Sequence, residues 1–229
     1  MIRKHLFQTF GDTETENRKS KHHFSFENYF TRFSFGDLLF VNDDIIAPNT
    51  HLKTRTYQNI ELITIVRYGT ITCDNSNNNT QTLNTNDFQI LDTGEKTSQT
   101  ISNNTDDCSQ IYQIGIKSGG SKQKTNQNQQ QITYTNLDNQ QDDTDNKIHI
   151  IGQNKNWKIY CAKLQQGKLV KYQPCGQAYI LVSDGDIKVS WLNAQKGDAF
   201  EIRNEDNVSI KANDNSIFFI IEVEKDGLV

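Results

Sequence analysis

The chain has 229 residues and a formal net charge of −4, with 24 Lys and Arg against 28 Asp and Glu. No long basic run offers the cationic stripe that a nucleic acid needs, and no apolar stretch reaches the ~18 residues of a membrane span. Hydrophobic residues are only 34%, yet 12 Phe, 8 Tyr and 2 Trp supply more core material than a disordered chain carries.

Met1 to Phe7 carries charge with no apolar core behind it, so it does not read as a secretory signal, and a cytoplasmic protein is expected. Four cysteines (Cys73, Cys108, Cys161 and Cys175) lack any CxxC spacing and read as free thiols. Residues 1–22 read as an N-terminal extension. Its basic cluster, Arg18-Lys19-Ser20-Lys21-His22-His23, reads as a solvated loop. Only Phe26 to Phe33 has the spacing of a helical turn or two.

Short runs rich in β-branched and aromatic residues then follow one another, bounded by Asn, Asp and Gly clusters. Strands are expected at Leu38–Val41, Ile60–Val66, Thr70–Cys73, Phe88–Leu91 and Gln110–Ile116. A second set is expected at Ile148–Ile151, Trp157–Lys163, Tyr179–Val182, Ile187–Leu192, Ala199–Ile202, Val208–Lys211 and Ile217–Val223. Asp74 to Asn79 and Asp184-Gly185-Asp186 suit hairpin turns. Residues 119–146 are dense in Gln and Asn and read as a linker, with Ile132-Thr133-Tyr134 as an island able to dock. The expectation is an all-β chain of two similar β units, 1–118 and 147–229, each built like a small jelly roll.

Several stretches resemble the pirin family, two-cupin proteins that include quercetin dioxygenase-like members. They are His23-Phe24-Ser25-Phe26-Glu27-Asn28-Tyr29-Phe30, Val41-Asn42-Asp43-Asp44-Ile45-Ile46 and Asn59-Ile60-Glu61-Leu62-Ile63-Thr64-Ile65-Val66. Gly69, Phe88-Gln89-Ile90-Leu91 with Gly94, and Ile111-Tyr112-Gln113-Ile114 continue the match. The likeness is close over residues 20–117, and beyond that holds only in pattern. It implies two tandem cupin barrels, the first with a site of three His and one Glu for iron or another divalent metal.

Carried over one position at a time, the family's two His of the first motif fall on Arg55 and Tyr57, the third on Gln99 and the carboxylate on Ile101. Guanidinium and sec-butyl groups offer no lone pair to a metal, and an amide is a weak ligand. The expectation is therefore a pirin-like bicupin without its metal site and without a cofactor. Arg55, Tyr57, Glu61, Cys73 and Gln99 are the candidate pocket. Glu61 shares the parity of Arg55 and Tyr57, so an internal Arg–Glu pair is one reading of that pocket. The other is a small organic anion on the Arg55 fork. Function is expected to be non-catalytic, as a small-ligand or protein-binding module, with no nucleic acid and no membrane. The alternative is a metal-dependent quercetin 2,3-dioxygenase-like oxidoreductase on a site rebuilt from His51, Cys73 and Tyr57.

Overall fold

The computed structural model describes residues 1–24, 32–76, 78–118 and 146–223, and the backbone of residues 132–136. In chain order the first strands are β1 (Ile2–His5), β2 (Gly11–Glu14), β3 (Arg18–His22), β4 (Leu38–Ile46), β5 (Thr50–His51), β6 (Arg55–Tyr57) and β7 (Ile60–Tyr68). Next come β8 (Thr70–Asn75), β9 (Thr80–Asn84), β10 (Asp87–Asp92), β11 (Thr97–Asn103), β12 (Ser109–Lys117) and β13 (Ile132–Asn136). The rest are β14 (Ile148–Gln153), β15 (Trp157–Leu164), β16 (Leu169–Tyr172), β17 (Gln177–Asp184), β18 (Asp186–Val189), β19 (Leu192–Gln195), β20 (Ala199–Ile202), β21 (Val208–Ala212) and β22 (Ser216–Val223). A single 3-10 turn at Phe7–Thr9 is the one helical element among the described residues. No helix there is long and apolar enough to cross a membrane. The chain is all-β and forms two cupin barrels in tandem. The helical turn expected within Phe26 to Phe33 falls mostly outside the described residues.

The first barrel comprises Gly11–Ser34 and Leu38–Asn139. One antiparallel sheet runs β13-β10-β7-β12-β4-β3-β2 and a second runs β5-β11-β8-β9, with β6 also paired to β11. The Ile132-Thr133-Tyr134 island is thus a strand, paired with β10. Alternate side chains of a strand face opposite sides, and the inward set divides into layers. Phe40, Tyr57, Ile60, Leu62 and Leu91 form one apolar cluster. Ile46, Val66, Ile71, Cys73, Leu83, Ile101 and Ile111 form another. Along β4 the residues between them are Asn42 and Asp44, and along β7 Thr64, all buried. A polar layer therefore crosses the barrel between two apolar ones.

Arg18 to His23 is not the solvated loop its charge suggests. Arg18 to His22 form β3, paired with β4 so that Ser20 lies opposite Asp44 and His22 opposite Asn42. Ser20 and His22 are buried while Lys19 is exposed, so the cluster alternates with a period of two. His22 Nδ1 lies 2.9 Å from Asn42 Oδ1 and its Nε2 lies 3.0 Å from Thr13 Oγ1.

The second barrel comprises Met1–Phe10, Phe35–Asp37 and Gln140–Val229. Its sheets run β1-β20-β17-β22-β15-β14 and β16-β21-β18-β19. Between them pack Ala178, Ile180, Val182, Phe200, Ile202, Ile210, Phe218 and Ile220, among others. Burying each large apolar side chain stabilises the fold by about 1.5–3 kcal/mol. The N-terminal residues complete this barrel: β1 pairs with β20 from Ile2 opposite Ile202 to His5 opposite Ala199. Lys4 Nζ lies 2.8 Å from Asp198 Oδ2, and the Phe7 N–H donates to Asp198 Oδ1 at 2.9 Å. Ile187 to Leu192, expected as one strand, is instead a hairpin. Val189 pairs with Leu192 across a two-residue turn. Ser190 there has a φ of 53° and Trp191 is 65% exposed, so the apolar run marks a turn rather than a core segment.

The second barrel buries a carboxylate. Glu222, on the same face of β22 as Phe218 and Ile220, accepts from the Tyr172 hydroxyl at 2.6 Å, the Tyr160 hydroxyl at 3.2 Å and the Cys175 N–H at 2.9 Å. Burial, and then the neighbouring Glu222, pushes both phenols well above their usual range.

Candidate functional site

Residues 55–57 follow the short β5 and pair with β11 so that Arg55 lies opposite Gln99 and Tyr57 opposite Thr97. The outward residues of this pairing are polar and hydrogen-bonded across the strands: Thr54 Oγ1 to Thr100 Oγ1 at 2.7 Å, and Thr56 Oγ1 to Ser98 Oγ at 2.9 Å. The inward residues Arg55, Tyr57, Gln99 and Ile101 all line one cavity of about 320 Å³ within the first barrel. Thr15, Asn17, Arg18, His51, Leu52, Lys53 and Gln113 also line it among the described residues. The four positions that the family resemblance marks are thus neighbours in space.

Each of these side chains is held. The Arg55 guanidinium neighbours the Tyr57 hydroxyl, and burial raises that phenol's pKa more than Arg55 lowers it. The Tyr57 ring stacks on Phe40 with centroids 6.3 Å apart. Gln99 Nε2 donates to Gln89 Oε1 at 3.3 Å, and Gln89 Nε2 donates to Gln81 Oε1 at 3.2 Å. Gln99 Oε1 is buried with no hydrogen-bond partner among the described residues. Ser20 Oγ, Asn42 Nδ2, Thr64 Oγ1 and both Asp44 oxygens share that state in the polar layer. Arg18 Nη1 stands 3.9 Å from Asp44 Oδ2. His51 Nδ1 lies 2.8 Å from Ser102 Oγ at the cavity's edge.

Two of the sequence candidates lie elsewhere. Glu61 alternates on β7 with Ile60 and Leu62, which pack with Tyr57, so it occupies the opposite face and not the cavity wall. Parity counted from Arg55 fails because Gln58-Asn59 interrupts the strands, with Asn59 at a φ of 52°. Cys73 sits opposite Ile101 and packs in the aliphatic cluster, not among the described residues that line the cavity. Burial pushes its thiol up to about 12. Arg18, by contrast, enters the site from a segment whose charge suggested a loop. The alternation of Lys19 and Lys21 with Ser20 and His22 was the available signal.

The thiols give a direct check on this placement. Ellman's reagent at pH 8 is expected to titrate Cys108 and Cys175, the two exposed cysteines, in the folded protein, and all four after unfolding. Between about 8.5, where an unfolded thiol titrates, and about 12, the folded chain keeps a Cys73 proton that the unfolded chain has released. Stability contributed by Cys73 is therefore full below that window and falls as pH rises through it. Denaturant titrations of native protein and Cys73→Val at pH 8 and pH 10.5 should show the smaller pH loss in the variant.

The donor set does not suit a divalent metal. Arg55 and Ile101 bring no lone pair, and the Gln99 carbonyl and Tyr57 phenol are poor ligands beside imidazole and carboxylate. Among the described residues no three His, Cys, Asp or Glu side chains gather closely enough to hold a metal ion.

Comparison with known proteins agrees with the fold. A family model for pirin matches residues 4–114, and one for the quercetinase C-terminal cupin domain matches residues 140–223. A Pseudomonas aeruginosa protein provisionally named a quercetin 2,3-dioxygenase is 26% identical over 237 aligned positions, covering 97% of this chain and 100% of that protein. A pirin-like protein of Caulobacter vibrioides is 35% identical over 120 residues, 51% of each chain. The crystal structure of the bacterial pirin YhhW of Escherichia coli with nickel(II) superposes with a TM-score of 0.85 at 20% identity, covering 99% of this chain and 100% of that one. With both halves matched in order and both barrels present, the chain belongs to the pirin family.

Proposed function

We propose that the first barrel is a small-ligand site on a metal-binding frame that has exchanged its metal ligands, and that its ligand is an organic anion. One observation carries this reading: Arg55, Tyr57, Gln99 and Ile101, the four positions that hold metal in the family pattern, converge on one cavity and present a cation, two neutral hydrogen-bonding groups and an aliphatic wall. Guanidinium is the group that proteins use to grip carboxylates in a planar fork, and Arg55 brings one to this wall. Among the described residues its wall also takes Arg18 and Lys53, and no carboxylate.

Two measurements test the proposal. Protein purified without chelator and then incubated with ferrous, manganous or nickel ions should retain metal well below one equivalent per chain by elemental analysis. Isothermal titration with simple carboxylates should show binding that Arg55→Gln weakens by about 10–100-fold, the worth of a charge-assisted fork. One tightly held metal per chain would overturn the proposal and favour the dioxygenase-like activity that relatives' names suggest. Carboxylate binding unaffected by Arg55→Gln would remove the anion from this site.

A further inference from the structure

We propose that the outer face of the sheet β16-β21-β18-β19 docks an acidic segment of a partner protein. The inward residues of this sheet, Ile187, Val189, Val208 and Ile210 among them, belong to the core of the second barrel. Alternation then leaves Lys171, Lys188 and Lys211 outward and exposed. Lys188 lies directly opposite Lys211, so their Cβ atoms start about 5 Å apart. Lys171 lies opposite Ser209 and so diagonal to Lys211, about 7–8 Å away. None of the three lysines makes an ion pair among the described residues. Asp186 shares the parity of Lys188, but its Oδ1 accepts from Asn213 Nδ2 at 2.7 Å.

Folding does not call for this pattern. Like charges directly opposite one another weaken a sheet. Lysines do guard edge strands against aggregation, and Lys171 on the edge strand β16 fits that role. Lys188 and Lys211 are on the interior strands β18 and β21 and guard no edge. They also run against a chain whose net charge is −4. An anionic partner would relieve the repulsion, and two exposed apolar residues beside the lysines describe it further. Leu169, 54% exposed, lies opposite Lys211. Exposed Trp191 is at the tip of the β18–β19 hairpin, where the Ser190 N–H donates to the Ser209 carbonyl at 2.7 Å and so brings the tip beside the Lys171 row. Carboxylates on the lysines, with an aliphatic or aromatic side chain between Leu169 and Trp191, complement the face. A peptide suits it better than a lipid surface, because exposed Asn193 and Gln195 and half-buried Ser209 fill the rest of the face and resist immersion in acyl chains.

Fluorescence anisotropy of the full chain with a labelled short peptide of Asp, Glu and Leu tests the proposal, against a counterpart in which Asn and Gln replace the acids. The acidic peptide should bind at least about tenfold more tightly, and less tightly as salt rises. Lys188→Glu with Lys211→Glu should weaken binding about tenfold or more. Lys96→Glu with Lys117→Glu makes the same change in net charge on exposed lysines of the first barrel, and should alter binding by less than about twofold. Lys188→Gln should weaken the peptide while keeping or raising the urea midpoint, because it removes one of two facing charges. A lowered midpoint with unchanged peptide binding would make Lys188 structural and overturn the proposal. So would equal binding of the two peptides, equal loss in the two double variants, or tighter binding to phosphatidylserine vesicles than to the acidic peptide.

Discussion

Replacing Arg55, Tyr57, Gln99 and Ile101 together, as Arg55→His, Tyr57→His, Gln99→His and Ile101→Glu, is expected to turn the cavity into a site that holds about one divalent metal per chain. Arg55 and Tyr57 are two apart on β6 and face the same way, as Gln99 and Ile101 do on β11. Gln99 lies opposite Arg55 in the register, so the three imidazoles would start from adjacent Cα positions. Three neutral imidazoles and a carboxylate suit iron, nickel or manganese, with coordination positions left open for other ligands. The apo form of this variant should be the less stable one. Ile101 is 5% exposed and packs with Cys73, Val66 and Ile111, and a carboxylate there costs about 2–4 kcal/mol until a cation neutralises it. Metal binding to the folded state should then restore the loss through linkage, raising the Tm of the variant while leaving that of the native protein unchanged. Elemental analysis and melting curves with and without nickel decide the matter. A folded variant that holds no more metal than the native chain would mean that these four side chains do not converge as the cavity requires.

The long central strands were readable because their inward residues are apolar. In β7, β12 and β22, Leu62, Val66, Ile111, Phe218 and Ile220 carry the signal of a buried sheet. The strands that build the site carried no such signal, and for a physical reason. Thr97 to Asn103 reads Thr-Ser-Gln-Thr-Ile-Ser-Asn because one face meets the cavity and the other makes hydroxyl bonds with Thr54 and Thr56. A wall that faces a cavity need not be apolar, so periodicity is silent where function resides. Arg55, Tyr57 and Gln99 were found only through their place in a family motif, and Arg18, which belongs to no motif, was missed. Glu61 failed for a different cause. Parity holds within a strand and not across the left-handed Asn59 that separates β6 from β7.

A turn that was legible from the start carries a large effect expected of a single methyl group. Gly185→Ala should destabilise the second barrel by about 3–5 kcal/mol, while Gly167→Ala in the same barrel should cost about 1–2 kcal/mol. Both glycines have the same backbone demand, with φ of 77° and 82°, a region where a Cβ is crowded by its own chain. Their surroundings differ. A Cβ on Gly167 would meet nothing within 4 Å, whereas one on Gly185 would lie 2.3 Å from the Asn215 carbonyl oxygen and 2.8 Å from Ser216 Cα. Those are backbone atoms, and they are tied down. The Asp186 carbonyl accepts from the Asn213 N–H at 2.8 Å and from Ser216 Oγ at 2.9 Å, so the segment cannot swing away without breaking both bonds. The difference between the two variants therefore isolates the close approach from the strain of the positive φ. Both tryptophans of the chain, Trp157 and Trp191, lie in this barrel, and Trp157 is 3% exposed, so fluorescence during urea unfolding reads its stability directly. Equal shifts in the two urea midpoints would mean that the Asn215–Ser216 backbone does not press on Gly185. A markedly larger shift for Gly185→Ala would show that the turn after β17 is packed as tightly as a core position.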